Sequence, residues 1–337
     1  METSGSGGAN WRPGASLSTL RMRAEMLARI RAFFAARAVL EVETPVLAHH
    51  AVTDPQLHSL QTRRTGPGAA HGELLYLHTS PEFAMKRLLC AGAGSIYQIA
   101  RVFRDGESGR MHNPEFTLIE WYRLDFDHHR LMEETAALVC ELLALPFAYD
   151  KQSYGALFRQ YLGIDPHRAQ TAQLAECAAH HGLDLAGFDI SGAELTRDAW
   201  LDFLLSHLIQ PKLGSERPLC IYDYPVSQAA LARLRWEEES AAMVGERFEL
   251  YFRGIELANG YHELGDANEQ RARFERDNAL RREAGEMEIA PDERLLVALA
   301  YGLPACAGVA LGFDRLVMLA AGLTDIAEAM AFTTDRA

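Results

Sequence analysis

Apolar residues Leu20, Leu27, Ile30 and Phe34 recur at helical spacing between arginines, which predicts an amphipathic helix over Ser18–Ala38. Leu40–Leu47 follows as an extended segment, and Pro45 suits an edge or a strand end. Tyr76–His78 reads as a short strand. Ser80-Pro81-Glu82 then reads as a helix start, with Ser80 as N-cap and Pro81 in the first helical position. Ile96–Phe103 and Phe116–Leu124 read as two strands flanking a polar loop of about a dozen residues, and connections that long usually serve a function. Asp127–Leu143 reads as a helix, and Leu219–Tyr222 and Phe248–Ala258 as strands. Asp266–Glu269 has the pattern of a capping box opening a charged helix that ends near Glu283. Val309–Leu311 is a strand, and the helix Phe313–Ala321 stops at Gly322. Residues 146–217 mix helical patches with loops and carry no legible chemistry. Hairpin-paired strands with helices between and after them predict an α+β fold, an antiparallel sheet flanked by helices.

Composition narrows this. The chain has 337 residues, 48% apolar and 23% charged, enough for one large globular domain or two modest ones. Its charge is 33 − 46 = −13, so no global attraction draws it to nucleic acid or anionic membrane; a polyanion needs a local basic pocket. Five scattered cysteines without a CxxC give neither a zinc knuckle nor a redox pair. With no signal-peptide pattern, they fit a reducing cytoplasm. Residues 1–15, rich in Gly and Ser, read as a flexible tail. Leu295–Phe313 is uncharged for 19 residues, long enough to cross a membrane. Gly302, Pro304, Gly308 and Gly312 within it favour a helix end followed by a buried strand, so no membrane role is expected. Neither GxGxxG nor GxxxxGK[ST] occurs.

Three segments carry chemistry. In Val102–Tyr122, Arg104, Arg110, His112 and Asn113 place donors on one loop, and Arg offers bidentate geometry to phosphate oxygens. In Arg253–Asp266, Glu256 and Glu263 bracket a strand, and Glu256 sits among apolar residues where an unpaired carboxylate is expensive. Two converging carboxylates commonly hold Mg²⁺ or an ammonium group. In Ala307–Leu316, glycines permit close backbone approach to a ligand, and Arg315 follows them. The pairs His128-His129 and His180-His181 read as helix-surface residues without metal spacing.

Together these segments resemble the class II aminoacyl-tRNA synthetases. Phe33–Leu47 looks like motif 1, Phe103–Phe116 like motif 2 and Gly308–Arg315 (GVALGFDR) like motif 3. HTSPEFAMKRLL, HNPEFT with EWY, and ELANGYHEL resemble lysyl-tRNA synthetase catalytic domains. Motif 1 begins about twenty residues in, leaving no room for an OB-fold anticodon-binding domain, and Ala310 stands where lysyl synthetases usually have Gly. Both features are similar to the elongation factor P lysine ligase family. That resemblance implies residues 16–337 as one catalytic domain with an insertion at roughly 146–217. It implies ATP and Mg²⁺, (R)-β-lysine or lysine as substrate, and elongation factor P rather than tRNA as acceptor. Motif 1 implies a homodimer, which Phe33, Val39, Val42 and Val46 could support.

The resemblance also implies roles. Arg104 would hold the α-phosphate, with Arg315 against the adenine and γ-phosphate; these two are the catalytic pair. Phe116 would stack on adenine, and Asp105, Gly106, Glu107, His112, Asn113, Leu257 and Gly312 would complete the ATP site. Glu256 with Glu263 would hold Mg²⁺. Ser80, Pro81, Glu82, Tyr122, Glu263 and Ala310 would receive the lysine, Glu82 at the nearer amino group, Glu263 and Tyr122 at the ε-ammonium. Class II enzymes generally place an acid two residues after the motif 2 Arg, to meet the adenine amino group. Here that position is Gly106, leaving either Glu107 or a backbone carbonyl for the contact.

Overall fold

Ser16 accepts a hydrogen bond from the Thr19 N–H and starts α1 (Leu17–Ala35), whose Met26, Ile30, Phe33 and Phe34 are buried. The structure is a computed structural model that describes residues 11–68, 72–183, 195–238 and 240–337. Residues 1–10 of the expected tail lie outside it. Residues 14 and 15 do not behave as a tail: their N–H groups donate to Ala331 and Met330, and Ala15 is buried.

Beyond α1 the chain forms β1 (Leu40–Glu41), β2 (Leu47–Ala48), β3 (Gln61–Arg64), β4 (Glu73–Leu77) and α2 (Glu82–Cys90). Next come β5 (Ile96–Phe103), β6 (Glu115–Leu124), α3 (His128–Leu142), β7 (Asp150–Ser153), α4 (Tyr154–Leu162), α5 (Thr171–His180) and α6 (Arg197–Leu204). The remainder is β8 (Leu219–Pro225), β9 (Leu234–Glu237), β10 (Ala242–Phe252), β11 (Ile255–His262), α7 (Ala267–Glu283), α8 (Glu293–Gly302), β12 (Cys306–Gly312) and α9 (Phe313–Ala320). The main sheet runs β1-β5-β6-β12-β11-β10-β8-β7, with β9 paired to β10; β2, β4 and β3 form a small second sheet. Only the edge pairs β1–β5 and β7–β8 are parallel; the ladders between β5 and β8 are antiparallel. This is the expected α+β architecture.

Strand alternation divides the sheet's two faces. Ile119 and Trp121 of β6, Phe248 and Leu250 of β10, and Ala307, Val309 and Leu311 of β12 point into one core with α1, α3 and α9. The intervening Glu120, Tyr122, Glu249, Tyr251, Gly308, Ala310 and Gly312 line a cavity on the other face. α7, α8 and Phe83 of α2 pack together beside it.

Three expectations change. The single strand Phe248–Ala258 is the hairpin β10–β11: Phe252 pairs with Ile255, and Arg253 (φ 51°) and Gly254 (φ 73°) make its two-residue turn. Residues 146–217 contribute β7 to the sheet, and α4, α5 and α6 build a second apolar core with Ile221, Tyr224 and Tyr251. Of the residues assigned to a dimer surface, Phe33 and Val39 are 3% and 5% exposed, in this chain's own core. Val42 packs beside Leu89 and Ile96. Val46 stays partly exposed, with Leu40 and Leu47 as exposed neighbours.

Candidate active site

The cavity on the polar face has a volume of about 1670 Å³. At one end lies a cluster of buried charge. Ser80 holds the Glu82 N–H at 3.0 Å, so α2 begins at Glu82, with Pro81 as the residue before it. Ser80 Oγ also donates to Glu120 at 2.7 Å, and Tyr122 Oη donates to the other Glu120 oxygen at 2.7 Å. Lys86, one helical turn after Glu82, places its ammonium 2.6 Å from both Glu82 and Glu263. Lys86 and Glu263 are each 1% exposed in their side chains. Burial is the largest influence on Glu120 and Glu263. It raises the Glu120 carboxyl to about 8, aided by the charge of Glu82. It also raises Glu263, opposed chiefly by Lys86. The two carboxylates hold the Lys86 ammonium protonated in spite of its burial.

Glycine is obligatory in the floor of this cluster. A Cβ on Gly308 would lie 2.3 Å from the Tyr122 ring and 2.5 Å from the Glu263 carboxylate. Ala310, two residues on, is partly buried and packs in the small cluster containing Val102, Leu118 and Phe116.

The loop between β5 and β6 forms the other end. Arg104 lies 5.1 Å from the Phe116 ring centroid and 3.4 Å from Glu107. Gly106 turns the chain at φ 80°, and Glu107, rather than Asp105, lines the cavity. Arg315 donates to the Glu256 and Met111 carbonyls at 2.9 and 3.3 Å, and its Nη2 lies 2.6 Å from His112 Nε2. Burial, then the Arg315 charge, pushes the His112 pKa down, which keeps that nitrogen an acceptor. Asp314, 1% exposed, accepts from the Thr117 N–H at 2.6 Å and pairs with Arg23 of α1 at 2.5 Å.

Glu256 reaches the cavity through an irregularity. Tyr251 pairs with Glu256 and Leu250 with Ala258, so Leu257 is an extra residue in β11. The bulge resets the alternation and puts Glu256, Asn259, Tyr261 and Glu263 on the cavity side. Burial raises the Glu256 carboxyl, and the charge of Glu249 adds to it. Glu249 accepts from Arg247 and Tyr251, both at 2.5 Å.

Most of the sequence-read residues therefore meet in one cavity, with five corrections. Glu263 does not pair with Glu256; it is held by Lys86, and the carboxylate beside Glu256 is Glu249. Asp105 faces away, accepting from the Gly106 N–H. The Asn113 amide bonds the Glu115 carbonyl and Thr334, so it fastens the chain's last turn. Pro81 is buried outside the cavity wall, whereas Leu257 lines the cavity as expected while also packing into the core. Arg110 is exposed and lines no part of it. Sequence reading missed Lys86, Glu120, Glu249 and Asp314. A charged residue flanked by apolar ones, as in LIEWY and FELYF, was the available signal.

A phosphate-suited arginine loop thus faces a buried acid cluster across the small residues of β12. The model of tRNA synthetases class II (D, K and N) matches residues 9–336. The chain belongs to this family. Among curated relatives, the Photorhabdus laumondii protein named elongation factor P--(R)-beta-lysine ligase is 51% identical over 330 residues, 98% of this chain and 99% of that one. Proteins of the same name from Vibrio cholerae and Vibrio vulnificus are each 50% identical, over 98% and 96% of this chain and 99% and 98% of theirs. The stretch that resembles motif 3 brings Arg315 into the first turn of α9, directly after the central strand β12.

Proposed function

We propose that the chain activates (R)-β-lysine with ATP and transfers it to a lysine side chain of elongation factor P. The observation that carries the reading is the charge of the buried cluster. Glu82, Glu120 and Glu263 face one resident ammonium, Lys86, so the fully ionised set has a surplus of two negative charges. A diamino acid brings two ammonium groups. An ion pair at 4 Å contributes about 4 kcal/mol at an effective dielectric of 20, before desolvation. The names of the relatives, at about half identity over nearly the full length, support the same substrate and acceptor.

In the first step a substrate carboxylate oxygen attacks the α-phosphorus, and the bond to the bridging oxygen of pyrophosphate breaks. No protein nucleophile is needed; the site positions reactants and offsets charge. Arg104 holds the α-phosphate, and Arg315 and Phe116 hold the nucleotide at the other end. Glu107 takes the adenine contact that Gly106 cannot make. In the second step the neutral amine of the acceptor lysine attacks the adenylate carbonyl carbon and AMP leaves. Buried Glu249 and Glu256, which is partly open to the cavity, fit Mg²⁺, because the two carboxylates lie beside each other. When bound there, the ion neutralises triphosphate charge. Exposed Leu40, Val46 and Leu47 are the apolar surface we assign to a homodimer.

Mass spectrometry of elongation factor P after incubation with the chain, ATP and (R)-β-lysine tests the reading. The expected product carries one added β-lysyl group. An unmodified factor, with pyrophosphate exchange intact, would reject the acceptor; absent exchange would reject the enzyme.

A further inference from the structure

His128, the first residue of α3, is not on a helix surface. It is 2% exposed, and neither ring nitrogen has a hydrogen-bond partner among the described residues. Native structures seldom leave such a group, because a buried donor or acceptor without a partner has given up its hydrogen bonds to water for nothing. Its neighbours also carry unbonded atoms, although Glu246 lies 3.9 Å from Arg233 and 3.6 Å from Arg235. Ligand atoms of His128, Glu246 and His262 all lie within 4.8 Å of one another. His262 Nδ1 and Glu246 Oε2 approach to 2.8 Å without hydrogen-bonding geometry. Asp223, also 2% exposed, gives one oxygen to Arg235 and leaves Oδ1 unbonded, 3.8 Å from His128 Nε2. None of these four residues lines the large cavity.

The backbone is irregular where they meet. The β10–β8 register shifts between Gly245 and Phe248, so Glu246 joins the cluster while Arg247 serves the cavity. Asp223, opposite that shift, sits at φ 62°, a conformation uncommon for a residue other than glycine. Backbone strain of this kind persists only where surrounding contacts hold it.

We propose that His128, His262 and Glu246 hold a Zn²⁺ ion at a site separate from the catalytic cavity, with Asp223 beside it. Two imidazoles and a carboxylate are a ligand set suited to Zn²⁺, and a water donating to Asp223 Oδ1 completes the tetrahedron. One ion takes an orphan atom from each of His128, His262 and Glu246. It fastens the start of α3 to β10 and β11, which bear Glu249 and Glu256. Binding needs one adjustment: Arg233, half exposed, lies 3.3 Å from His262 Nε2 and swings into solvent when that nitrogen carries the ring proton. Asp223 keeps its bond to Arg235 through the other oxygen.

Co²⁺ is the probe, since tetrahedral N/O coordination gives intense visible absorption. The full-length chain is stripped with chelator and titrated, alongside Glu256→Gln, which disables the catalytic carboxylate pair. The expected result is one tetrahedral Co²⁺ per chain in both proteins, displaced by Zn²⁺, with a rise in melting temperature. His128→Leu, if folded by circular dichroism, is expected to weaken binding at least tenfold and to abolish the thermal shift. Should His128→Leu fail to fold, Glu246→Gln decides on the same criteria. No tetrahedral spectrum, or one unaffected by the tested cluster variant, overturns the proposal.

Discussion

At the scale of single residues the cavity floor is set by side chains that are absent. Gly308→Ala places a methyl against Tyr122 and Glu263, and overpacking of that kind typically costs about 1–3 kcal/mol. The expected outcome is at least a tenfold rise in KM for β-lysine in pyrophosphate exchange, with KM for ATP unchanged. Ala310→Gly removes a methyl from the same row, and such differences discriminate by about 1–3 kcal/mol. Relative activation should move towards α-lysine; an unchanged ratio of kcat/KM values would refute the assignment. Glu120 gives a pH dependence. Its folded pKa of about 8 exceeds the ordinary 4.5, so the native state holds an extra proton between those values. Its contribution to stability is full below pH 4.5 and lost as pH rises through 8. An arriving ammonium lowers that pKa again. Calorimetry near pH 7 should therefore detect proton release on β-lysine binding, tighter binding at pH 8 than at pH 6, and no release with Glu120→Gln.

At the scale of elements, Asp314 ties three of them together through Arg23 of α1 and Thr117 of β6. Removing one partner of a buried ion pair costs about 3–5 kcal/mol, so Asp314→Ala should lower the urea midpoint markedly. Rescue of stability by added ATP without rescue of kcat would show that the same contact aims Arg315. The pattern of apolar positions was sufficient for α1, β5, β6, α3 and α9, because each has a regular period and a visible cap or turn. It was insufficient for β10–β11. Arg253 adopts a left-handed conformation that Arg rarely signals, and the continuous apolar run across the turn hid it. Arg104, Glu256 and Arg315 were legible because short motifs with glycines and clustered polar residues mark loops and strand ends. Lys86 and Glu249 were not, since a charge inside an apolar element acquires meaning only from its partner. For Lys86 that partner, Glu263, lies far along the chain. The extra Leu257 likewise defeats any count by twos along β11.

At the scale of the whole molecule, the exposed apolar strip around β1 and β2 is what remains of the expected dimer surface. Sedimentation should give twice the 37.4 kDa chain mass. Leu47→Asp should shift it towards the monomer, and a monomeric wild type would reject the strip as an interface. The order of synthesis adds a constraint of its own. β12 lies between β6 and β11, yet it starts at residue 306 of 337. At about 5–20 residues per second, roughly 10–40 s separate the making of β6 from that of its inner neighbour. During that time the nascent sheet exists as two halves, each with an open inner edge able to recruit other strands. Until β12 emerges, the arginine loop lies on one half and Glu249, Glu256 and Glu263 on the other, so a partly made chain can neither activate an amino acid nor close its own sheet.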